Sequence, residues 1–191
     1  MSPEREVYPV TVAGLKRELP LFEVAPGVRI ALLNILGDTE LVQAVAKELA
    51  PKIMATKPDV LVTAEAKSIP LICALALETG LPYVVLRKTY KPYMGEAMEA
   101  HTVSITTGAP QKLYLDEKDQ KLLSGKRVAL VDDVISTGST LQGMRILMDK
   151  VGANVVTQAA IFTEGDRAKW SDIIALGHLP VFIGDDAGMP R

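Results

Sequence analysis

Four short apolar runs constrain the fold of this chain more than any other feature: Val60-Leu61-Val62-Thr63, Tyr83-Val84-Val85-Leu86, Val128-Ala129-Leu130-Val131, and the run from Val155 to Phe162. A strand with one wet face alternates apolar and polar residues; unbroken, β-branched apolarity marks a strand covered on both faces. Helix-period segments accompany these runs. Leu41, Val45 and Leu49 lie four apart behind Asp38 and Thr39, which can cap a helix to about Ala50, where Pro51 discourages continuation. Pro70 to Thr79 is read as a second helix, with Pro70 in the first turn and Gly80 just past the end. Leu141, Met144, Met148 and Val151 form a third apolar stripe, ended by Lys150 and Gly152. Strand–helix–strand, twice over, predicts right-handed crossovers, a parallel sheet and an α/β fold.

The 191 residues suit one domain, 1–191, large enough to bury a proper core. Twenty-one Lys and Arg against 23 Asp and Glu give a formal charge of −2, which argues against a nucleic-acid binder. Cys73 is the only cysteine, set in the apolar run Ile69–Leu75, so a disulfide framework is excluded. A reducing, cytoplasmic setting and a place in a helix core are expected for it. No apolar segment follows Glu4, Arg5 and Glu6, so no signal peptide is read. None approaches the roughly 18 apolar residues of a membrane span. From Thr89 to about Gly125 the pattern changes: His101–Thr106 and Gln111–Leu115 alternate like paired strands around Thr107-Gly108-Ala109-Pro110. Such an inserted hairpin is either a sheet extension or a mobile lid.

Chemistry concentrates in Val128-Ala129-Leu130-Val131-Asp132-Asp133-Val134-Ile135-Ser136-Thr137-Gly138-Ser139-Thr140-Leu141. A buried strand delivers two carboxylates at its C-terminal end, and a helix begins near Ser139 or Thr140 after a turn of small residues. Ligands of open α/β sheets bind at that edge. Free N–H groups of the helix start, four hydroxyls and the permissive Gly138 together make a phosphate cradle. Asp132 and Asp133 would repel the phosphate, so they face another part of the ligand, such as sugar hydroxyls or a cation. The bland alternative is a strand end that caps a helix. Gly138 is followed by Ser139, not Lys, which excludes a Walker A loop, and the Gly-x-Gly-x-x-Gly pattern is absent.

This segment resembles the phosphoribosyl-pyrophosphate (PRPP) motif of the type I phosphoribosyltransferases. The resemblance implies an open, mainly parallel sheet flanked by helices, with an N-terminal hood (1–37) and an inserted lid hairpin (89–125). It assigns Asp132 and Asp133 to the ribose hydroxyls, and Ser136, Thr137, Gly138, Ser139 and Thr140 to the 5′-phosphate. Three further stretches are similar to the purine branch, most of all to adenine phosphoribosyltransferases. Thr63-Ala64-Glu65-Ala66-Lys67-Ser68 resembles a pyrophosphate loop, with Lys67 for Arg and Ser68 for Gly; Glu65, Ala66 and Lys67 would serve PRPP. A lysine is a point charge without the arginine fork, and as a bare residue it is equally an ordinary solvated side chain. Arg87-Lys88, with Lys91, stands where that branch reaches pyrophosphate, often across a dimer interface. Ala25-Pro26-Gly27-Val28-Arg29-Ile30 resembles the hood, which gives Val28 and Ile30 to the base.

Two departures bear on the base. The lid's Glu-Tyr-Gly is replaced by a stretch read as Ser104–Gly108, leaving Tyr90, Tyr93, Glu96 and Tyr114 as lid candidates. Val155–Phe162 and the following Thr163-Glu164-Gly165 carry no Lys of the kind that reads a 6-oxo group, which favours adenine. The implied activity is transfer of phosphoribose from PRPP to a purine, adenine to AMP, with Mg²⁺ held mainly by the substrate and a homodimer as the assembly. Xanthine or hypoxanthine–guanine phosphoribosyltransferase is the nearest alternative; a non-catalytic PRPP-sensing regulator is one of another class. Neither a membrane nor a nucleic acid is an expected partner. His101 and His178 lack ligand-spaced partners, so no metal site is read. Trp170 and Phe182 are read as packing, and Asp185 and Asp186 as solvated.

Overall fold

The computed structural model describes residues 6–103 and 110–184. Its elements are β1 (Val7–Val12), β2 (Leu15–Ala25), β3 (Val28–Ala31), α1 (Thr39–Met54), β4 (Val60–Ala64), α2 (Ile69–Thr79), β5 (Tyr83–Leu86), β6 (Met98–Val103), β7 (Pro110–Leu115), α3 (Glu117–Leu123), β8 (Arg127–Ile135), α4 (Ser139–Val151), β9 (Asn154–Glu164), β10 (Ile174–Leu179) and β11 (Val181–Ile183). Short 3-10 turns occupy Pro92–Met94 and Arg167–Trp170.

The predicted α/β fold is realised as a five-stranded sheet in the order β10-β9-β8-β4-β5, every neighbouring pair parallel. Three of the unbroken runs form its centre as β4, β8 and β9, where both faces are covered, whereas Tyr83–Leu86 is the edge strand β5 with Tyr83 exposed, so the expected cover on both faces is not met there. Leu61, Ala129 and Val131 join the core under α1 and α2. Val60, Val62, Val128 and Leu130 join the core under α4. A second, antiparallel sheet, β1-β2-β3-β11, carries the N-terminal segment and takes its last strand from the end of the chain.

Several local expectations need correction. α1 does not stop before Pro51 but runs through it to Met54, because the extra turn buries Ile53 completely in the core. β8 does not end at Val131; Val134 and Ile135 still pair with Phe162 and Thr163, so the acidic pair stands within the strand. α3 arises in the insertion, where no helix is predicted: it is seven residues long, capped by Asp116, and buries only Leu123. Cys73 is exposed rather than in a helix core, since α2 is apolar all round and buries only Leu71, Ile72 and Leu75.

The hairpin is present as β6–β7, paired from Met98↔Leu115 to Val103↔Pro110; the turn Thr107–Ala109 and the stretch from Ser104 lie outside the described residues, as do Asp185 and Asp186. Its root is part of the core: Ala100, Leu113 and Leu115 are buried with Met144 and Leu147 of α4. Gly143 makes this approach possible, because a Cβ there would stand 3.0 Å from Leu113 Cδ1. Among the described residues, no helix is long and apolar enough to cross a membrane.

Candidate active site

The carboxyl edge of the parallel sheet gathers most of the predicted residues. Within β8, towards its C-terminal end, Asp133 is buried and Asp132 half-buried. Ser136, Thr137, Gly138, Ser139 and Thr140 then wall a small cavity, with Asp132 at its rim. Gly138 has φ +80°, a left-handed value that favours glycine, and a Cβ there would meet Trp170 Cη2 at 2.9 Å. Thr137 Oγ1 and Ser139 Oγ lie 3.1 Å apart, and Ser139 Oγ donates to Gln111 Oε1 at 3.3 Å. Gln111 therefore ties strand β7 of the inserted hairpin to the start of α4. No sequence signal singles it out.

The loop Glu65–Ser68 leaves β4 and enters α2 directly opposite. Its side chains are engaged with one another's neighbours. Ser68 Oγ donates to Asp132 Oδ1 at 2.6 Å and accepts from the Asp133 N–H at 3.1 Å. The residue that reads as a departure from the family loop is thus a clasp on the acidic pair. Lys67 Nζ lies 3.4 Å from Asp133 Oδ2 and donates to the Leu33 carbonyl at 3.3 Å. The first contact is an ion pair without hydrogen-bond geometry, so Asp133 Oδ2 stays buried and unsatisfied. Glu65 accepts from Arg87 Nε and from the Lys88 N–H, both at 2.6 Å, while Arg87 Nη1 reaches Tyr93 at 3.4 Å. Ala66 is exposed beside it.

Lys88 and Lys91 are exposed. Lys88 lines a cleft with Gln111, Lys112, Leu113 and Thr140, between lid strand and helix start. Backbone bonds in both directions between Arg87 and Tyr114, 2.9 and 2.8 Å, fasten the end of β5, just before these cations, to β7 of the hairpin. Val28 and Ile30 are half-buried in β3, in the antiparallel sheet, and Lys67 joins the Leu33 carbonyl, just past β3, to Asp133 of the acidic pair. Of the lid candidates, Tyr90 stacks obliquely on Tyr114 (centroids 6.0 Å apart), and the Glu96 N–H is held by Glu117. Another cleft, of about 590 Å³, lies on the β1–β2 hairpin, but its Arg17 is committed to Asp38 and Glu40 and none of the residues above lines it.

Burial and the neighbouring Asp133 charge push the Asp132 carboxyl upward, against the stabilising Ser68 hydrogen bond. Burial likewise raises Glu164, at the end of β9, to about 7, with Lys67 pulling it back. Among the described residues no group of three or more His, Cys, Asp or Glu could hold a metal. His178 instead bridges Thr163 Oγ1 and the Gly165 carbonyl, each at 2.9 Å. What the edge offers is an anion cradle of hydroxyls and amides, two carboxylates suited to a diol, and three cations on its far side.

The chain is similar to known proteins in sequence and in fold. Residues 33–179 match the model of the phosphoribosyl transferase domain. A hypoxanthine/guanine phosphoribosyltransferase of Methanococcus voltae is 35% identical over 143 residues, 75% of this chain and 69% of that protein. An adenine phosphoribosyltransferase of Rhodospirillum rubrum is 32% identical over 146 residues, 76% of this chain and 82% of its own. A purine biosynthesis transcriptional repressor of Bacillus subtilis is 32% identical over 132 residues, which is 69% of this chain but 46% of the repressor. The crystal structure of adenine phosphoribosyltransferase from Thermoanaerobacter pseudethanolicus superposes with a TM-score of 0.63, covering 91% of this chain and 95% of that one. Its 21% identity makes that likeness one of fold. The chain belongs to the phosphoribosyltransferase family, PRPP-dependent pentosyltransferases.

Proposed function

We propose that this protein transfers phosphoribose from PRPP to a purine, with adenine as the base, releasing pyrophosphate and forming AMP. The observation that carries the reading is the unbroken order of acidic pair, hydroxyl-rich loop and helix N-terminus at the carboxyl edge of the sheet. The relatives include enzymes named for adenine and for hypoxanthine and guanine. Adenine is favoured because Thr163-Glu164-Gly165 puts a carboxyl, not an ammonium, at the end of β9.

In the reaction the bond from ribose C1′ to the diphosphate breaks, the bond to N9 forms, and the purine's N9 proton leaves to the diphosphate or to water. Positive charge develops on the sugar and negative charge on the leaving group, so positioning and electrostatics do most of the catalysis. Asp132 and Asp133 hold the ribose hydroxyls. Ser136 to Thr140 hold the 5′-phosphate with hydroxyls and helix amides. Arg87, its Nε fixed by Glu65, meets the diphosphate with its terminal nitrogens, assisted by Lys88, Lys91 and the pyrophosphate loop of Glu65, Ala66 and Lys67. Val28 and Ile30 enclose the base, and the 89–125 insertion excludes the water that would hydrolyse PRPP.

A small hard cation keeps several waters and binds through one or two carboxylates plus phosphate oxygens, and this edge, with its carboxylate pair and no converging cage among the described residues, fits that mode. When bound, Mg²⁺ neutralises the departing diphosphate. A homodimer is part of the proposal, supported by the apolar outer face of α2, where Leu77 is 83% exposed.

Incubation with PRPP, Mg²⁺ and each of adenine, hypoxanthine, guanine and xanthine, with pyrophosphate and nucleotide measured, tests the reading. Turnover with adenine is expected. Turnover only of 6-oxopurines overturns the base assignment. PRPP binding without any turnover would make the chain a sensor, a reading that the repressor relative keeps in view.

A further inference from the structure

Among the described residues, Asp133 Oδ2 is the buried side-chain oxygen that no hydrogen bond satisfies. Such an atom is rare in a folded protein and asks for an explanation. Asp133 is only 7% exposed, and its two carboxylate oxygens meet two residues of the opposite loop. Oδ1 lies 3.2 Å from Ser68 Oγ, and Oδ2 lies 3.4 Å from Lys67 Nζ. A carboxylate sealed in this way reaches no ribose hydroxyl until one of its two covers moves.

The two covers differ in freedom. Ser68 is 2% exposed, donates to Asp132 Oδ1 at 2.6 Å and accepts from the Asp133 N–H, so it is fixed at both ends of the pair. The Lys67 side chain is 43% exposed on a flexible four-carbon stem. Its ammonium has two long contacts, Asp133 Oδ2 and the Leu33 carbonyl at 3.3 Å. Both exceed the roughly 2.9 Å of a well-formed N–H···O bond. A half-exposed ion pair of that length is weak, and a diphosphate offers the ammonium more charge and more acceptors. Lys67 is therefore the cover that moves.

We propose that Lys67 is a specificity-determining latch, which makes the Asp133 carboxylate available only to a sugar that brings a diphosphate. The inference rests on the PRPP reading of the site. With the site empty, Lys67 covers Asp133. A diphosphate draws the ammonium away, Oδ2 is uncovered, and a ribose hydroxyl donates the hydrogen bond that this oxygen lacks. A ribose monophosphate can fill the cradle of Ser136 to Thr140 but brings nothing that moves Lys67, so it gains less from the carboxylate. Because binding free energies are linked, pyrophosphate and ribose 5-phosphate raise each other's affinity.

The test reads the contact to the sugar as a ratio of two affinities, ribose 5-phosphate over inorganic phosphate, from calorimetric titrations of the full chain. General effects of charge, and competition for the cradle, cancel in that ratio. In the wild type the ratio is expected to rise about 5- to 10-fold with saturating pyrophosphate, added without Mg²⁺ so that no metal bridges the two ligands. In Lys67→Met the ratio should start about 5- to 10-fold above the wild-type value, and pyrophosphate should change it less than about twofold. The same variant should bind PRPP·Mg²⁺ about tenfold more weakly, having lost a cation for the diphosphate. A purely structural role would not move the two sugars in opposite directions. Three results overturn the inference: a wild-type ratio that pyrophosphate leaves unchanged, a Lys67→Met ratio no higher than wild type, or an undiminished pyrophosphate response in that variant. If Lys67→Met does not fold, the wild-type titration decides alone. A wild type that binds neither PRPP·Mg²⁺ nor ribose 5-phosphate removes the PRPP reading itself. One that turns PRPP over without the rise in ratio removes only the latch.

Discussion

The loop from Ser136 to Gly138 and the loop from Glu65 to Ser68 face one another across the site, yet different forces hold them. The first is shaped by backbone: a long buried strand, one glycine with φ +80° and a helix start leave little for side chains to decide. The second is shaped by side-chain pairings that reach far along the chain, Ser68 to Asp132, Lys67 to Asp133 and Glu65 to Arg87. A backbone-built loop is ready before ligand arrives. A loop built from ion pairs must exchange some of them for a diphosphate, which makes it the adjustable half of the site.

The acidic pair joins the two halves, so its loss should be felt most. Asp133→Asn is expected to lower kcat/KM for PRPP by about 100-fold, the loss of ~2.7 kcal/mol of transition-state binding. Near-normal kinetics would remove the pair from the chemistry. If the phosphate loop owes its shape to backbone, Gly138→Ala should cost about 1–2 kcal/mol from left-handed strain, with the Trp170 clash added, and weaken AMP binding by roughly tenfold. An unaltered melting temperature and affinity would contradict that. If the opposite loop is adjustable, Ser68→Ala should matter less. Removing the clasp leaves Asp132 Oδ1 short of a donor, about 1 kcal/mol, and should change the KM for PRPP by roughly threefold to tenfold. A loss as large as that of Asp133→Asn would make Ser68 a ligand-binding residue instead.

The smallest effect is on stability. Glu164 is raised by burial from 4.5 to about 7, so between those values the folded state holds a proton that the unfolded state has lost. Stability from this group is fully present below pH 4.5 and is lost as pH rises through about 7. Asp132 acts in the same sense, whereas Asp38, held low by its Arg17 hydrogen bond, acts in the opposite one at acid pH. The difference between wild-type and Glu164→Gln melting temperatures, followed from pH 5 to 8, isolates Glu164. The variant should show the flatter profile, and parallel profiles would contradict the shift.

What could be read from the sequence follows the same division. Val60–Thr63, Tyr83–Leu86, Asp132-Asp133 and Ser136–Thr140 are local patterns, and the fold places each of them in the parallel sheet or at its carboxyl edge. Ser68 looked like a plain loss of glycine because its partner lies 64 residues away. Gln111 and Glu164 gave no motif, since each acquires meaning only through a neighbour brought in by the sheet or the hairpin. α1 outran Pro51 because the burial of Ile53 outweighs a propensity read one residue at a time. α3 is too short to show a period.

Trp170, the single tryptophan of the chain, packs against Gly138 and donates its indole N–H to Glu164. Its emission therefore comes from one place, the seam between the Ser136–Gly138 loop and the end of β9. Any ligand that settles on either side changes the surroundings of that one chromophore. The chain thus carries an internal optical probe of that seam, and a change there can be followed without a label.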